Sequence, residues 1–195
     1  MKLLELFCGS KSISKVAESM GMETFTSDVN KRFKPDYLVN VFNFDIDRIP
    51  FKPYIVWASP DCSCFSVASA GHHWYKDGSP KTIFAVQALK MIAITINIIE
   101  ILQPNYWFIE NPRGMLRKQT MMQDFTRHTV TYCQYGDNRM KPTDIWTNNK
   151  IWTPKPMCSN GDPCHESNAT NKLNTRYKRA VIPEMLCKEI LESCM

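Results

Sequence analysis

Three residues have the types that covalent chemistry needs. Cys62 and Cys64 lie in the segment Pro60-Asp61-Cys62-Ser63-Cys64-Phe65-Ser66, and Glu110 opens the triplet Glu110-Asn111-Pro112. An ionised thiol is a nucleophile. A carboxyl group beside it can hold or pass a proton. Each type also has an ordinary structural use, because free cysteine often packs as a small buried hydrophobe and a glutamate at a rim often just pairs with a cation. The flanking elements decide which use applies.

Tyr54-Ile55-Val56-Trp57-Ala58 is a short apolar run bounded by Pro53 and Ser59-Pro60. It reads as a buried strand of a parallel sheet that ends in the cysteine turn. Tyr106-Trp107-Phe108-Ile109 reads as a second such strand, with Glu110-Asn111-Pro112 at its carboxyl end. Ligands of open α/β sheets bind beyond the carboxyl ends of strands, so the thiol and the carboxylate are expected on one rim. The first unit has the same logic: a strand Leu3 to Phe7, a tight turn Cys8-Gly9-Ser10-Lys11-Ser12, a helix Ile13 to Met20 ended by Gly21, and a strand Thr24 to Ser27 with Asp28 at its end. Glycine lets a ligand approach the backbone and the acid accepts hydrogen bonds from ribose hydroxyls, as a nucleoside-bearing cofactor requires. Tyr37 to Val41 reads as a third strand, with Asn40 or Asp45 facing an adenine edge. Lys81 to Leu102 is a long helix with core-type periodicity. Leu116 to Phe125 reads as a short helix, Val130 to Gln134 and Asp144 to Thr147 as a late hairpin, and Glu184 to Leu191 as a closing helix. The expected fold is a three-layer α/β domain with a mostly parallel sheet, single over residues 1–195.

Other clusters carry weaker signals. Ala70 to Tyr75 reads as a mobile surface loop, and adjacent His72 and His73 point apart, against a shared metal. Cys158, Cys164 and His165 stand together in MCSNGDPCH and could hold zinc if Cys133 or His128 joined. The spacing is not that of a standard zinc knuckle, so the expectation is no metal. Basic residues interleave with aromatics from Tyr135 to Trp152, which suits nucleic acid and equally a solvated loop. The 195 residues with 44% hydrophobic content suit one domain. The net charge of +5 fits a polyanionic partner without demanding one. No secretory signal is expected after Met1-Lys2, and no membrane span, because Gln87, Lys90, Thr95, Asn97 and Glu100 interrupt the most apolar segment. Eight scattered cysteines then fit a cytoplasmic thiol protein.

The order of these motifs resembles the DNA cytosine-5 methyltransferase family, in a short form like those of phages and prophages. Leu3 to Gly9 looks like its first motif, F-x-G-x-G. Pro60 to Ser66 resembles P-P-C-Q-x-F-S, with Cys62 as the nucleophile. Glu110-Asn111-Pro112 resembles E-N-V. Tyr135-Gly136 through Arg139 and Lys141 looks like a reduced Q-x-R-x-R region, and Ala180 to Pro183 is similar to the final G-N-x-V-P. The resemblance covers nearly the whole chain. It implies a Rossmann-like S-adenosylmethionine-dependent fold. It implies a cofactor site at Phe7, Gly9, Ser10, Asp28, Val29, Asn40, Val41, Pro60 and Val181, and catalysis by Cys62, Glu110 and Arg139. The product would be S-adenosylhomocysteine, and the partner DNA with a flipped cytosine. Arg113, Arg139 or Lys141 would hold phosphates.

Four departures stand out. Lys11 replaces the second glycine of the first motif, and Asp61 replaces a proline. Only about residues 148–178 stand where the family has a target-recognition domain, and Arg179 falls near the family's Asn in the last motif. Three other functions follow from parts of the pattern. One is a catalytically degenerate module that binds nucleic acid; another is a methyltransferase for RNA or a free nucleotide. The third is a cysteine hydrolase, for which no histidine is convincingly placed. The oligomeric state is open.

Overall fold

The sheet is built outward from two buried parallel strands, and everything chemical lies on one edge of them. The structure, a computed structural model, describes residues 1–166 and 176–195. Seven strands are ordered β3-β2-β1-β4-β5-β7-β6. They are β1 (Lys2–Leu6), β2 (Glu23–Asp28), β3 (Tyr37–Leu38), β4 (Ile55–Ala58), β5 (Tyr106–Pro112), β6 (Arg127–Thr131) and β7 (Pro142–Thr147). Strands β3, β2, β1, β4 and β5 pair in parallel. β7 runs antiparallel between β5 and β6. The helices are α1 (Ser12–Ser19), α2 (Val67–His73), α3 (Ile83–Leu102), α4 (Arg176–Ala180) and α5 (Glu184–Glu192).

Side chains alternate across the sheet, as the two-residue strand period requires. Leu3, Ile55, Trp57, Phe108 and Ile145 enter one core with residues of α1 and α5. Leu4, Leu6, Val56, Ala58, Ile109 and Trp146 enter the other, under α3. The expected three layers are therefore present. By length and composition, α3 is long and apolar enough to cross a membrane, contrary to the expectation that its polar residues rule this out. Here Ala85, Ala88, Ile92, Thr95, Ile98 and Ile99 bury its inner face.

Several boundaries differ from the sequence reading. The third strand has two residues, and Asn40 instead caps a 3-10 turn by accepting from the Phe42 N–H. Two 3-10 turns replace the helix expected at 116–125. The loop expected at 70–75 falls largely in α2, where His73 Nδ1 lies 2.8 Å from the Thr82 hydroxyl. β5 runs three residues further than its apolar run, because β7 pairs with Glu110, Asn111 and Pro112. That pairing fixes the glutamate within the strand, where the sequence placed it at the strand's carboxyl end.

One buried carboxyl sets a pH dependence. Lys11, at the N-cap of α1, provides no side-chain cap. Glu5 reaches across from β1 and accepts from the Ser14 N–H at 3.2 Å and from the Ser14 hydroxyl. It thus satisfies a free N–H of the first helical turn. Glu5 is 2% exposed, and burial pushes its carboxyl up from 4.5 to about 7. Between those two values the folded chain holds a proton that the unfolded chain has released. Stability therefore falls as pH rises through this window and levels off above it. Glu5→Gln keeps an acceptor and removes the charge. It should be stabilising by about 1–3 kcal/mol at pH 8 and close to neutral near pH 4.5; urea unfolding at the two pH values checks this. Equal effects at both would show that folding leaves the Glu5 proton affinity unchanged.

Candidate active site

The cysteine loop leaves β4 and is clamped from the side by β5. Ala58 pairs with Ile109, so Glu110 follows directly beside the loop. Asn111 donates from Nδ2 to the Pro60 carbonyl at 3.0 Å, fully buried. Beyond β5 the Met115 N–H donates to the Phe65 carbonyl at 2.7 Å. Gly114 packs so closely that a Cβ there would lie 2.1 Å from the same carbonyl oxygen. Within the loop, the Phe65 and Ser66 N–H groups both donate to the Cys62 carbonyl. Cys62 is half-buried, whereas Cys64 is buried. The Cys64 carbonyl accepts from the Trp74 indole, and Trp74 stacks on Phe65. The geometry therefore separates the two thiols into an accessible one and a packed one.

The hairpin β6–β7 supplies the rest of the rim. Tyr132, fully buried, donates from its hydroxyl to Glu110 Oε1 at 3.1 Å. Burial, then the neighbouring Glu110 charge, holds its phenol well above the usual range, so it remains a donor. Lys141 places its ammonium 3.4 Å from that hydroxyl and 4.4 Å from the centre of the Tyr132 ring. Burial lowers the Lys141 pKa, the Arg139 charge adds to this, and the charges of Glu110 and Cys62 oppose it. One cation therefore links the carboxyl and the thiol electrostatically.

Arg139 lies behind this chain of groups, its guanidinium 5.6 Å from the centre of the Tyr132 ring. It is 3% exposed, and its guanidinium pairs with Asp137 and donates to the carbonyls of Arg179 and Val181. Its donors tie the β6–β7 turn to the closing segment, whereas the Lys141 ammonium points at the Tyr132 hydroxyl. Arg113 is exposed just past β5. The sequence pairs Arg139 with Lys141 in one motif but cannot say which of the two points inward. Tyr132 and Gly114 carried no signal at all, since a buried tyrosine and a loop glycine are common everywhere.

At the ends of β1 and β2 the backbone forms a cradle. Phe7, Gly9 and Lys11 have φ of 57°, 44° and 55°. Lys11 thus adopts the left-handed backbone that favours glycine. Its ammonium donates to the Lys34 carbonyl at 2.7 Å. Asp28 accepts from the Gly9 N–H at 3.0 Å and from the Asn30 N–H at 2.8 Å. Each carboxylate oxygen retains a lone pair for a ribose hydroxyl. Val29 and Phe42 are exposed apolar side chains after β2 and β3, whereas Val41 is buried. Ile182 donates its N–H to the Ser12 hydroxyl at 3.1 Å, which brings the last motif back to the first. Ser10, Ser12, Val181 and Glu184 line an open groove of about 370 Å³ between them. Pro60, by contrast, faces the Asn111 amide with its carbonyl. An acidic acceptor, a glycine-bearing turn and exposed apolar side chains fit a cofactor with a ribose and a flat base. Of the 148–178 segment, residues 167–175 lie outside the described residues.

No family model matches the chain. It is 28% identical over 219 residues to the "Probable DNA (cytosine-5)-methyltransferase" of Frog virus 3 (isolate Goorha), covering all of both chains. Its fold is similar to that of a candidate DNA modification methyltransferase encoded within a prophage of E. coli. The TM-score is 0.56 at 12% identity, over 81% of this chain and 52% of that one. It is also similar to DNMT2 of Spodoptera frugiperda, with a TM-score of 0.51 at 18% identity over 83% and 57% of the two chains. The chain thus spans little more than half the length of these solved structures, which share its fold. With a relative matched end to end and two solved methyltransferases sharing the fold, the chain is similar in sequence and in fold to DNA methyltransferases.

Proposed function

We propose that this chain methylates C5 of cytosine in DNA, using S-adenosylmethionine and a covalent adduct at Cys62. The observation that carries this is the Lys141–Tyr132–Glu110 chain, coupled by charge to an accessible Cys62 on the rim next to the Asp28 cradle. A purely binding module needs none of these groups. The left-handed backbone at Lys11 supports an intact turn, against one of the two sequence features that motivate a degenerate module.

Cytosine C5 is a poor nucleophile. The Cys62 thiolate adds to C6, and the electron pair displaced from the C5–C6 bond makes C5 carbanion-like. Glu110 donates a proton or a hydrogen bond to N3 as that charge develops, by the logic of an oxyanion hole. Tyr132 orients the Glu110 carboxyl. Lys141 favours the thiolate, because the attraction that the Cys62 charge exerts on its ammonium is reciprocal. S-adenosylmethionine, when bound, supplies the electrophilic methyl group and leaves as S-adenosylhomocysteine. A base then takes the C5 proton, the C5–C6 double bond reforms, and the C6–S bond breaks to regenerate the thiolate. The target base must leave the stack first, at a cost of a few kcal/mol, and exposed Arg113 is placed to hold the backbone around it.

The test is transfer of tritium from labelled S-adenosylmethionine to unmethylated duplex DNA, with single strands, tRNA and dCMP beside it. Label in 5-methylcytosine of DNA supports the reading. Label confined to tRNA or dCMP would move the acceptor, which the short 148–178 segment makes the second reading. Absence of cofactor binding would overturn both.

Lys141→Met should lower transfer about 10- to 100-fold and raise the pH at which iodoacetamide alkylates Cys62, read by peptide mass spectrometry. Lys141→Arg should restore part of both. An unchanged alkylation profile would remove Lys141 from thiol activation.

A further inference from the structure

Four soft ligands from two distant parts of the chain meet behind the catalytic rim. The ligand atoms of Cys133, Cys158, Cys164 and His165 all lie within 4.8 Å of one another. Cys133 occupies the 3-10 turn that follows β6, immediately after Tyr132. The other three come from the loop beyond β7. A turn at Ser159–Asp162 folds that loop back: the Asp162 N–H donates to the Ser159 carbonyl, the Ser159 N–H donates to the Asp162 carboxylate, and Gly161 takes φ of 92°. His165 Nδ1 then sits 3.5 Å from Cys164 Sγ and 3.8 Å from Cys158 Sγ. In a tetrahedral site with Zn–S of about 2.3 Å and Zn–N of about 2.0 Å, neighbouring sulfur and nitrogen atoms are about 3.6 Å apart.

We propose that Cys133, Cys158, Cys164 and His165 form a structural zinc site of the Cys3His type. The sequence left Cys133 and His128 as alternatives for the fourth ligand. The geometry selects Cys133, while His128 packs against the Trp152 ring. Cys133 and Cys158 are joined as a disulfide in this structure, with Cα atoms 7.6 Å apart, beyond the usual range of about 4.4–6.8 Å. A metal between two thiolates accommodates that wider spacing. A disulfide would also give Cys164 and His165 no reason to converge on the same point. The surroundings suit a metal thiolate. The Thr131 hydroxyl accepts the Cys158 N–H at 3.1 Å and lies 3.2 Å from its sulfur, placed to donate to a thiolate as outer-shell groups do. Just past the ligands, the Glu166 N–H donates to the Asn138 carbonyl at 2.9 Å. The site therefore staples the segment that stands in place of a target-recognition domain onto the turn that carries Tyr132.

This inference goes beyond methyl transfer and does not depend on it. The test uses the full chain purified anaerobically, without reductant and without added metal. Elemental analysis should find about one zinc per chain. Cys164→Ala and His165→Ala should each lower that content at least several-fold, and Cys62→Ala should leave it unchanged. Cobalt reconstitution of the wild type should give intense thiolate-to-metal charge-transfer bands with tetrahedral ligand-field absorption, a readout that needs no variant to fold. After chelation and denaturation under anaerobic conditions, all eight cysteines should titrate as thiols. Metal content far below one per chain together with two missing thiols would overturn the proposal and establish the Cys133–Cys158 disulfide. Stoichiometric zinc that survives both ligand substitutions would overturn it as well.

Discussion

Cys62→Ala should abolish methyl transfer, by about 10^4-fold or more, while S-adenosylmethionine still binds. The size of the effect follows from the order of bond formation. Without the C6–S bond, C5 never becomes carbanion-like, and Glu110 has no developing ring charge to stabilise. The cofactor cradle stands apart from this loss, since Gly9 and Asp28 belong to the ends of β1 and β2 and not to the cysteine loop. Cys64→Ala is the internal control. Cys64 is packed beneath Phe65 and Trp74, so its removal should alter stability and leave transfer within several-fold. DNA carrying 5-fluorocytosine sharpens the distinction, because fluorine in place of the C5 proton blocks the final elimination and leaves the base attached to Sγ. A denaturation-resistant complex should form with wild type and Cys64→Ala, and not with Cys62→Ala. Transfer that persisted within tenfold in Cys62→Ala would overturn the covalent mechanism, whatever the acceptor.

The fold was legible where periodicity and burial coincide. Val56, Trp57 and Ala58 form an apolar run because β4 is covered on both faces, so its identity survives without any partner strand being known. The order of β1, α1, β2 and Asp28 was likewise local, with each piece bounded by Gly9 or Gly21. What stayed hidden was decided by pairing across the chain. Glu110 looked like a rim residue because its strand seemed to stop at Ile109, and only β7 on its other side extends it. The surroundings of Arg139 stayed hidden for a related reason. Asp137 and the carbonyls of Arg179 and Val181 claim its guanidinium, and two of those partners are some forty residues away in sequence. Lys141, two residues on, has φ of 31°, a left-handed position that no sequence period announces. The four soft ligands show the same limit. Three of them were adjacent and visible, and the fourth depended on how β6 ends.

Gly114→Ala should lower activity about 100-fold, although Gly114 has no functional atom. Its φ lies outside the left-handed region, so alanine is acceptable to the backbone and the whole effect comes from the contact. The new Cβ would stand 2.1 Å from the Phe65 carbonyl oxygen and 3.1 Å from its carbon, and both belong to backbone that cannot swing aside as a side chain can. Either the segment after β5 or the cysteine loop must move, probing the clamp made by Asn111 on Pro60 and by Met115 on Phe65. Overpacking of this kind typically costs about 1–3 kcal/mol, measurable as a lower melting temperature. The catalytic cost should be larger, because misplacing a reacting atom by about 1 Å can lower a rate about 100-fold. The expected signature is a fall of about that size in kcat, with cofactor affinity unchanged and Cys62 still alkylated by iodoacetamide. Gly114→Ser should behave alike, since it adds the same Cβ. If the alanine variant kept kcat within threefold while losing stability, the clamp would be a matter of folding only. The position of Cys62 would then have to be set from within its own loop, by the paired N–H donors of Phe65 and Ser66 on the Cys62 carbonyl.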